Sequence, residues 1–268
     1  MLTLYHNPIS TCSQKVRLTL AEKEIEFDSR TIDLLAGQQH DPDYVKLNPR
    51  HVVPTVVDDG KVILDSTVIV EYLDACKAEN PLIPADPYDQ ARMRLWMKRV
   101  DDELHGKTTG VFTHAILTRK VLENRSEEEL ETYFAAIPES SERDLRRVLF
   151  SEGVKAPQFV GAVERMSKFL DDMEATLSES KWLVGDQYTL ADICVIPYVF
   201  RLENARMDGF WRDGRRPHVE RWMNDMKARP SFDSAIQEWL PKELVGALHE
   251  FGEMVRDDVE SIINGVEN

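Results

Sequence analysis

Two kinds of hydrophobic pattern follow one another along the chain, and the change falls near residue 80. Before it, short apolar runs typical of strands alternate with stretches whose apolar residues recur at helical spacing. The predicted strands cover 2–5, 25–32, 55–57 and 62–64, and the predicted helices cover 12–23 and 65–76, with a short helix or turn ending at Leu47-Asn48-Pro49. This alternation predicts an α/β unit.

The last two predicted strands are separated by Asp58-Asp59-Gly60, which is a strong hairpin signal. Including that hairpin, the element order is β-α-β-α-β-β-α. This is the order of a thioredoxin-like unit, which we assign to residues 1–80.

The remainder of the chain has helical spacing throughout. The proline-rich stretch from Asn80-Pro81 to Asp86-Pro87 predicts a linker over 81–87, and an all-α domain is expected over 88–268. A long helix is expected to start near Tyr88, and the pattern breaks over 153–157. The tail from Lys242 carries an apolar stripe, which predicts a packed terminal helix or, alternatively, a lid or dimer contact.

A capping box is predicted at the start of the strongly apolar helix 193–200. Thr189 and Asp192 have the right spacing for it, and each side chain would accept a hydrogen bond from the other residue's free N–H. We expect a buried helix whose start is fixed locally. Farther on, a helix is expected over 219–228.

Composition narrows the classes of function and cellular location. The net charge of −15 disfavours a phosphate-binding surface. Three scattered cysteines and an N-terminus that enters a strand pattern at once predict a cytoplasmic protein with no disulfide framework. No apolar stretch approaches the ~18 residues of a membrane span. The seven histidines have no metal-binding spacing, so we expect no metal.

Three segments together predict a site that binds and activates a small thiol. The first is the hydroxyl-rich turn Ser10 to Ser13, directly before a helix whose N-terminus stabilises negative charge. Val53-Pro54 and Asp65-Ser66 follow, the latter opening another helix. Ser-x-x-Ser alone is typical of a helix cap. The order and spacing of the three segments make the prediction stronger.

The chain resembles the cytosolic glutathione transferases over essentially its full length. Four segments carry the resemblance: Ser10 to Arg17 is similar to the serine motif of the zeta and theta classes, Asn48-Pro49 with Val53-Pro54 to the N-P-x-x-x-V-P segment, Asp65 to Leu73 to the [E/D]-S-x-x-I-x-x-Y-L helix, and Thr189 to Ile193 to the C-terminal capping box. The resemblance implies a thioredoxin-like domain followed by an all-helical domain, glutathione as co-substrate, and a homodimer.

Within that family the chain is most similar to the bacterial lignin β-aryl etherases. The similar segments are Asn48-Pro49-Arg50, Asp65 to Ile69, Ala136-Ile137-Pro138, Trp182 to Val184 and Gln187 to Cys194. The length is similar too, through added sequence near 120–155 and a C-terminal tail. The chain departs from these etherases at Ser10, where they have no clearly aligned serine.

The resemblance implies roles for individual residues. Ser10 aligns with the serine that activates the thiol, with Ser13 and Cys12 as reserve candidates. A cis Pro54 would let Val53 pair with the cysteinyl backbone of glutathione. The remaining implied glutathione ligands are Asp65 and Ser66 at the γ-glutamyl end, and Gln39 with His40 at the glycyl end. Arg17 is expected to tie its helix to the second domain.

The second substrate is expected to be a small, hydrophobic, aromatic electrophile bound between the domains. Its candidate wall residues are Phe112, His114, Tyr198, Phe200 and Phe251, although the default expectation for each is an ordinary core residue.

These features predict a glutathione transferase that displaces a phenolate from a β-aryl ether. The carbon attacked is next to a ketone and therefore electrophilic. One alternative is a zeta-like isomerase or dehalogenase. Another is a non-catalytic scaffold of the same fold. We expect no nucleic-acid or membrane partner.

Overall fold

The computed structural model describes residues 1–34, 36–137 and 139–267, and residue 267 is described by its backbone alone. Pro138 therefore lies outside the described residues. The chain divides into two compact units. The first unit comprises Met1–Met97, Glu179–Val199 and Arg221–Pro241, and the second comprises Lys98–Ser178, Phe200–Glu220 and Lys242–Asn268. The domain boundaries expected from the sequence stay a prediction.

A four-stranded mixed sheet lies in the first unit. Its strands are β1 Leu2–His6, β2 Asp28–Thr31, β3 Thr55–Asp58 and β4 Lys61–Leu64, in the order β2-β1-β3-β4. β1 pairs with β2 in parallel, and the other two pairings are antiparallel. The predicted start of β2 at Ile25 is wrong, because the Ile25 N–H instead bonds the Leu20 carbonyl at the end of the preceding helix.

The hairpin between β3 and β4 is confirmed. Asp58 pairs with Lys61, which leaves Asp59 and Gly60 as a two-residue loop. Both loop residues have positive φ, 45° and 80°, as a type I′ turn requires.

Three α-helices complete the N-terminal part of the first unit: α1 Thr11–Glu22, α2 Pro42–Leu47 and α3 Ser66–Cys76. A short 3₁₀ helix, Gln38–His40, precedes α2. Nine of the twelve residues of α1 are buried. The N-terminus of α1 therefore has a fixed position at the end of β1.

The long helix expected near Tyr88 begins at Pro87, a residue favoured in the first turn. This α4, Pro87–Arg99, continues as a π-helical stretch over Val100–Gly110, then α5 Val111–Thr113, a second π-helical stretch over His114–Thr118, and α6 Arg119–Leu122. The π-helical pitch was not expected from the sequence.

The other helices are α7 Glu127–Ala135, α8 Ser140–Glu152, α9 Pro157–Glu179, α10 Leu190–Asn204, α11 Pro217–Lys227, α12 Pro230–Ala235 and α13 Lys242–Glu267. The predicted break is confirmed, since α8 ends at Glu152 and is capped by Gly153, whose φ is +59°. Within the described residues, no helix has both the length and the apolar character needed to cross a membrane.

The predicted capping box is confirmed in part. The Asp192 carboxylate accepts from the Thr189 N–H at 3.1 Å, but the Thr189 hydroxyl accepts from Ala191 N–H at 3.2 Å and not from Asp192. The other carboxylate oxygen accepts from Leu183 N–H and from Trp222 Nε1–H. Complete burial raises the pKa of Asp192 to about 6, although these hydrogen bonds act in the opposite direction.

The tail packs as a helix within the second unit, as expected. Leu248 and Val259 of the apolar stripe are buried, together with Ile263. Gly252 lies against the chain at Ala205, where a Cβ would sit 2.0 Å from the carbonyl oxygen. A side chain at this position would therefore force α13 away.

Candidate active site

The turn before α1 gives its two serines different environments. Ser10 is the N-cap of α1, is partly exposed, and accepts from the Ser13 N–H at 3.3 Å. Ser13 is fully buried, and its hydroxyl accepts from the Asn7 N–H at 3.2 Å. Ser13 therefore fastens the turn, whereas the Ser10 hydroxyl can be reached by a ligand.

Cys12 lies in the first turn of the same helix, is partly exposed, and forms no disulfide. Its sulfur is 3.6 Å from the hydroxyl of Tyr198. Burial raises the pKa of Tyr198 well above its ordinary value, so this phenol keeps its proton at neutral pH. Tyr198 is fully buried in the first unit and can donate its O–H to the Cys12 sulfur.

Val53 and Pro54 are joined by a cis peptide bond, as predicted. Two side chains hold the loop before them, one from α2 and one from the residue that follows it. Tyr44 donates its hydroxyl to the Val52 carbonyl at 2.6 Å, and Asn48 donates its side-chain N–H to the same oxygen at 2.8 Å. The Asn-Pro segment thus fixes the backbone that leads to Val53.

Asp65 caps α3 and has a strained backbone. Its φ is +72°, a left-handed value that costs a non-glycine residue about 1–3 kcal/mol. The carboxylate accepts from the Thr67 N–H at 3.1 Å and lies 3.5 Å from the Arg50 guanidinium. Ser66 follows and is buried. An exposed carboxylate and a helix N-terminus are therefore adjacent.

Lys15 is a residue that the sequence analysis missed. It is fully buried, and its ammonium lies 3.5 Å from both the Ser66 and the Thr67 hydroxyl oxygens. The same ammonium lies 5.4 Å from the centre of the Tyr198 ring. A cation thus supports the first turn of α3, where the predicted γ-glutamyl carboxylate would bind. The position of Lys15 among the apolar residues of α1 was the sequence signal that could have indicated a buried cation.

Gln39 and His40 lie in a row of polar side chains with His51, which the sequence analysis also missed. Gln39 Nε2 is 3.1 Å from His40 Nε2, and the Nδ1 atoms of His40 and His51 are 3.1 Å apart. The Gln39 side-chain oxygen is buried and has no hydrogen-bond partner among the described residues. This row therefore offers an unused acceptor.

Arg17 fixes the turn from behind. It is 2% exposed and donates to the carbonyls of Asn7 and Pro8, at 3.2 and 2.9 Å. It also donates to the Ala235 carbonyl at 2.7 Å, but Ala235 lies in the first unit like Arg17 itself, so the expected tie to a second domain stays a prediction. Because a guanidinium only donates, His6 Nδ1 accepts from it, and the opposite nitrogen donates to Ser29. Burial, together with the Arg17 charge, lowers the pKa of His6 to about 4.

Three of the five expected wall residues of the electrophile site, Phe112, Tyr198 and Phe200, are buried, whereas His114 and Phe251 are half-buried. In the second unit, Phe112 packs against Phe159, with ring centres 5.2 Å apart, and Phe200 is buried. His114 bonds the Thr118 hydroxyl at 3.1 Å, and burial lowers its pKa to about 3. Their predicted role toward an electrophile stays a prediction.

In the part of the chain that the structure describes, no group of three or more His, Cys, Asp or Glu residues could hold a metal ion.

Comparison with known protein families identifies the family of this chain. Residues 9–76 match the model of the glutathione S-transferase N-terminal domain, and residues 125–225 match that of the C-terminal domain. The chain belongs to the glutathione S-transferase family. The fold class inferred from the sequence is therefore confirmed, and this transferase uses glutathione as its co-substrate.

Two relatives of this transferase come from Sphingobium. Protein LigF of Sphingobium sp. is 31% identical over 91% of this chain and 96% of its own length. The tetrachloro-p-hydroquinone reductive dehalogenase of Sphingobium chlorophenolicum is 30% identical over 87% of this chain and 95% of its own. The crystal structure of the β-etherase LigF superposes with a TM-score of 0.79 at 29% identity, covering 88% of this chain and 99% of that one.

Proposed function

We propose that this transferase activates glutathione with the Ser10 hydroxyl and uses the thiolate to cleave a β-aryl ether next to a ketone. The observation that carries the proposal is the environment of Ser10. Its hydroxyl is partly exposed at the N-terminus of α1, whereas the Ser13 hydroxyl is buried and bonded to the turn. The substrate class rests on the similarity to the β-etherase LigF.

Glutathione would bind along the loops that precede α2 and α3. The γ-glutamyl carboxylate would lie at the N-terminus of α3, against Ser66 and in the field of Lys15, with its ammonium at Asp65. Val53 would pair with the cysteinyl backbone. Gln39 and His40, whose side chains lie side by side, would contact the glycyl end.

The reaction is a nucleophilic displacement. Ser10 donates its O–H to the sulfur, which favours the thiolate over the thiol. The new carbon–sulfur bond forms as the carbon–oxygen bond of the ether breaks, and the phenolate leaves with the electron pair and takes up the proton released by glutathione. The adjacent carbonyl activates the carbon, so the protein positions the thiolate and excludes water.

The test combines thiol ionisation with turnover. Glutathione is titrated into the purified protein while ultraviolet thiolate absorbance is followed, and phenol release from a model β-aryl ether ketone is measured separately. We expect Ser10→Ala to lower both signals, with kcat falling by about tenfold to a hundredfold, since a hydrogen bond to a charged group contributes ~1.5–3 kcal/mol.

Ser10→Thr is the matched control because it retains a hydroxyl, and it should restore a large part of both signals. An unchanged thiolate signal in Ser10→Ala would remove Ser10 from the mechanism. Binding of glutathione without release of phenol above the uncatalysed rate would reject the etherase assignment.

A second candidate function is glutathione-dependent reductive dehalogenation, and the position of Cys12 favours it. The sulfur shares the N-terminus of α1 with Ser10 and lies 3.6 Å from the Tyr198 hydroxyl, which can donate to it, an environment that stabilises a thiolate. One relative is named a reductive dehalogenase. The balanced reaction consumes an aryl chloride and two glutathiones and yields the dechlorinated arene, oxidised glutathione and hydrogen chloride. Cys12 would carry the intermediate mixed disulfide.

Product analysis separates the candidates. Ether cleavage leaves a thioether and consumes one glutathione, dehalogenation produces oxidised glutathione, and isomerisation consumes none. Cys12→Ser should abolish dehalogenation and spare ether cleavage. The homodimer, the cytoplasmic location and an aromatic electrophile also remain parts of this proposal, and a protein that binds glutathione without any turnover would instead fit the non-catalytic scaffold.

A further inference from the structure

The first unit contains a cavity on the side of α1 where Arg17 lies. Its volume is about 380 Å³, within the usual range of small-molecule sites. The residues that matter for its chemistry are Arg17, Leu20, Ala21, Phe27, Ala235 and Trp239. None of them belongs to the glutathione ligands proposed above, so the cavity calls for a separate explanation.

The cavity holds a buried cation whose charge is not neutralised. Arg17 donates to three backbone carbonyls and to the His6 imidazole, and it forms no ion pair with any of the described residues. These contacts use four of its five N–H groups, which leaves one at NH2. A buried charge without a counter-charge is costly. A carboxylate would complement it.

The walls beside this cation are flat and apolar. The guanidinium lies 5.2 Å from the centre of the Trp239 ring, and Phe27, Leu20 and Ala21 supply further apolar surface. An aromatic ring could stack here while an attached carboxylate faces Arg17.

Two exposed carboxylates also line the cavity. Glu24 lies 3.9 Å from the Lys77 ammonium and is partly neutralised, whereas Glu26 is exposed. They disfavour a dianion and require that the single negative group of a ligand turns toward Arg17 and away from Glu26.

We propose that this cavity binds a small planar aromatic monocarboxylate, with its ring against Trp239 and its carboxylate at Arg17. The site is separate from the glutathione site and from the reaction proposed above, and it stands or falls independently of them.

The test is calorimetric titration with naphthalene-2-carboxylate in the presence of saturating S-hexylglutathione, which occupies the glutathione site. We expect saturable binding of one ligand per chain. The neutral isostere naphthalene-2-carboxamide should bind at least about tenfold more weakly, because it cannot form the charge-assisted hydrogen bond.

Variants then locate the ligand. Ala21→Trp fills the cavity and should weaken binding by about tenfold or more, since it replaces the space that the ring would occupy. Ala75→Trp is the matched control, because Ala75 is an exposed alanine on α3, and it should bind like the original chain. Glu26→Gln removes a repelling charge and should tighten binding by about twofold to threefold.

Ser234→Trp, at an exposed position lining the cavity, gives a second way to fill it if Ala21→Trp does not fold. Several results would overturn the proposal: no saturable binding, undiminished binding by the filled variants, equal affinity for the carboxamide, or binding that disappears when S-hexylglutathione is added. The last result would place the ligand in the active site.

Discussion

A buried lysine lies beside the first turn of α3, where we propose that the γ-glutamyl carboxylate of glutathione binds. Lys15 is fully buried, and its ammonium is held by the Ser66 and Thr67 hydroxyls behind the first turn of α3. Helix N-termini already favour anions, and a cation placed behind one adds to that field. Lys15 therefore fits a role in recognising the γ-glutamyl carboxylate.

We predict that Lys15→Met raises the KM for glutathione by about tenfold or more, because a charge-assisted interaction of ~1.5–3 kcal/mol is lost. The measurement is a steady-state titration of glutathione with a general electrophile. Methionine has a similar length, so the packing against Tyr198 is largely retained.

A purely structural role is separated by a glutathione analogue that lacks the γ-glutamyl carboxylate. The original chain should discriminate strongly against this analogue, and Lys15→Met should discriminate little. If the variant retains full discrimination, Lys15 has no part in recognising the carboxylate.

At the scale of the element, α1 contributes buried charged side chains to the interior of the first unit. Three of its cationic side chains, Lys15, Arg17 and its C-cap Lys23, are no more than 2% exposed. Lys23 forms an ion pair with Asp74 of α3 at 2.7 Å and donates to two carbonyls of the following segment. Asp74 in turn accepts from the N–H groups of Leu82 and Ile83. The pair fixes the chain that leaves α3.

We predict that Asp74→Ala lowers the free energy of unfolding by about 3–5 kcal/mol, since it leaves a buried ammonium without its counter-charge. Denaturant unfolding followed by circular dichroism measures the change. Asp43→Ala is the control, because it breaks the exposed ion pair with Lys46 and should cost at most about 1 kcal/mol. Equal losses in both variants would mean that burial of the Lys23 pair adds nothing.

Local signals explain what the sequence could predict, and tertiary contacts explain what it could not. The Asp59-Gly60 turn is specified by residues that adopt positive φ, and the cap at Ser10 by a hydroxyl before a helix. By contrast, the partner of the Thr189 hydroxyl differs by one residue from the predicted one. The burial of Lys15 depends on side chains about 50 residues away in α3. The local turn and cap were therefore predictable, and the buried position of Lys15 was not.

The π-helical stretches were missed for a related reason. Hydrophobic spacing over 100–118 is compatible with both i→i−4 and i→i−5 hydrogen bonding, so the pattern predicts a helix without specifying its pitch. Packing of the folded chain decides between them.

At the scale of the whole molecule, buried titratable groups make stability depend on pH. Burial lowers the pKa of His6, in the first unit, to about 4 and that of His114, in the second unit, to about 3. The ordinary value is 6.5, so between pH 6.5 and about 4 the unfolded chain binds protons that the folded chain does not. Acidification in this window therefore destabilises both units.

Asp192 acts in the opposite direction. Its pKa is raised from 3.8 to about 6, so below pH 6 the folded chain keeps a proton that the unfolded chain releases, and acidification through this range is stabilising. The stabilising effect of this one carboxyl on acidification is set against the destabilising effect of two histidines. The balance therefore predicts a net loss of stability on acidification, partly offset below pH 6.

We predict that the free energy of unfolding falls by about 1–3 kcal/mol between about pH 7.5 and about pH 5, once solvent screening around His6 is allowed for. Urea unfolding at both pH values measures it. His6→Asn and His114→Asn keep a polar atom at the Nδ1 position but cannot titrate, so each should reduce the pH dependence. Asp192→Asn removes the opposing group and should increase it. A stability that is flat over this range, or a slope unaffected by both histidine variants, would show that these buried groups do not control the response of the protein to acid.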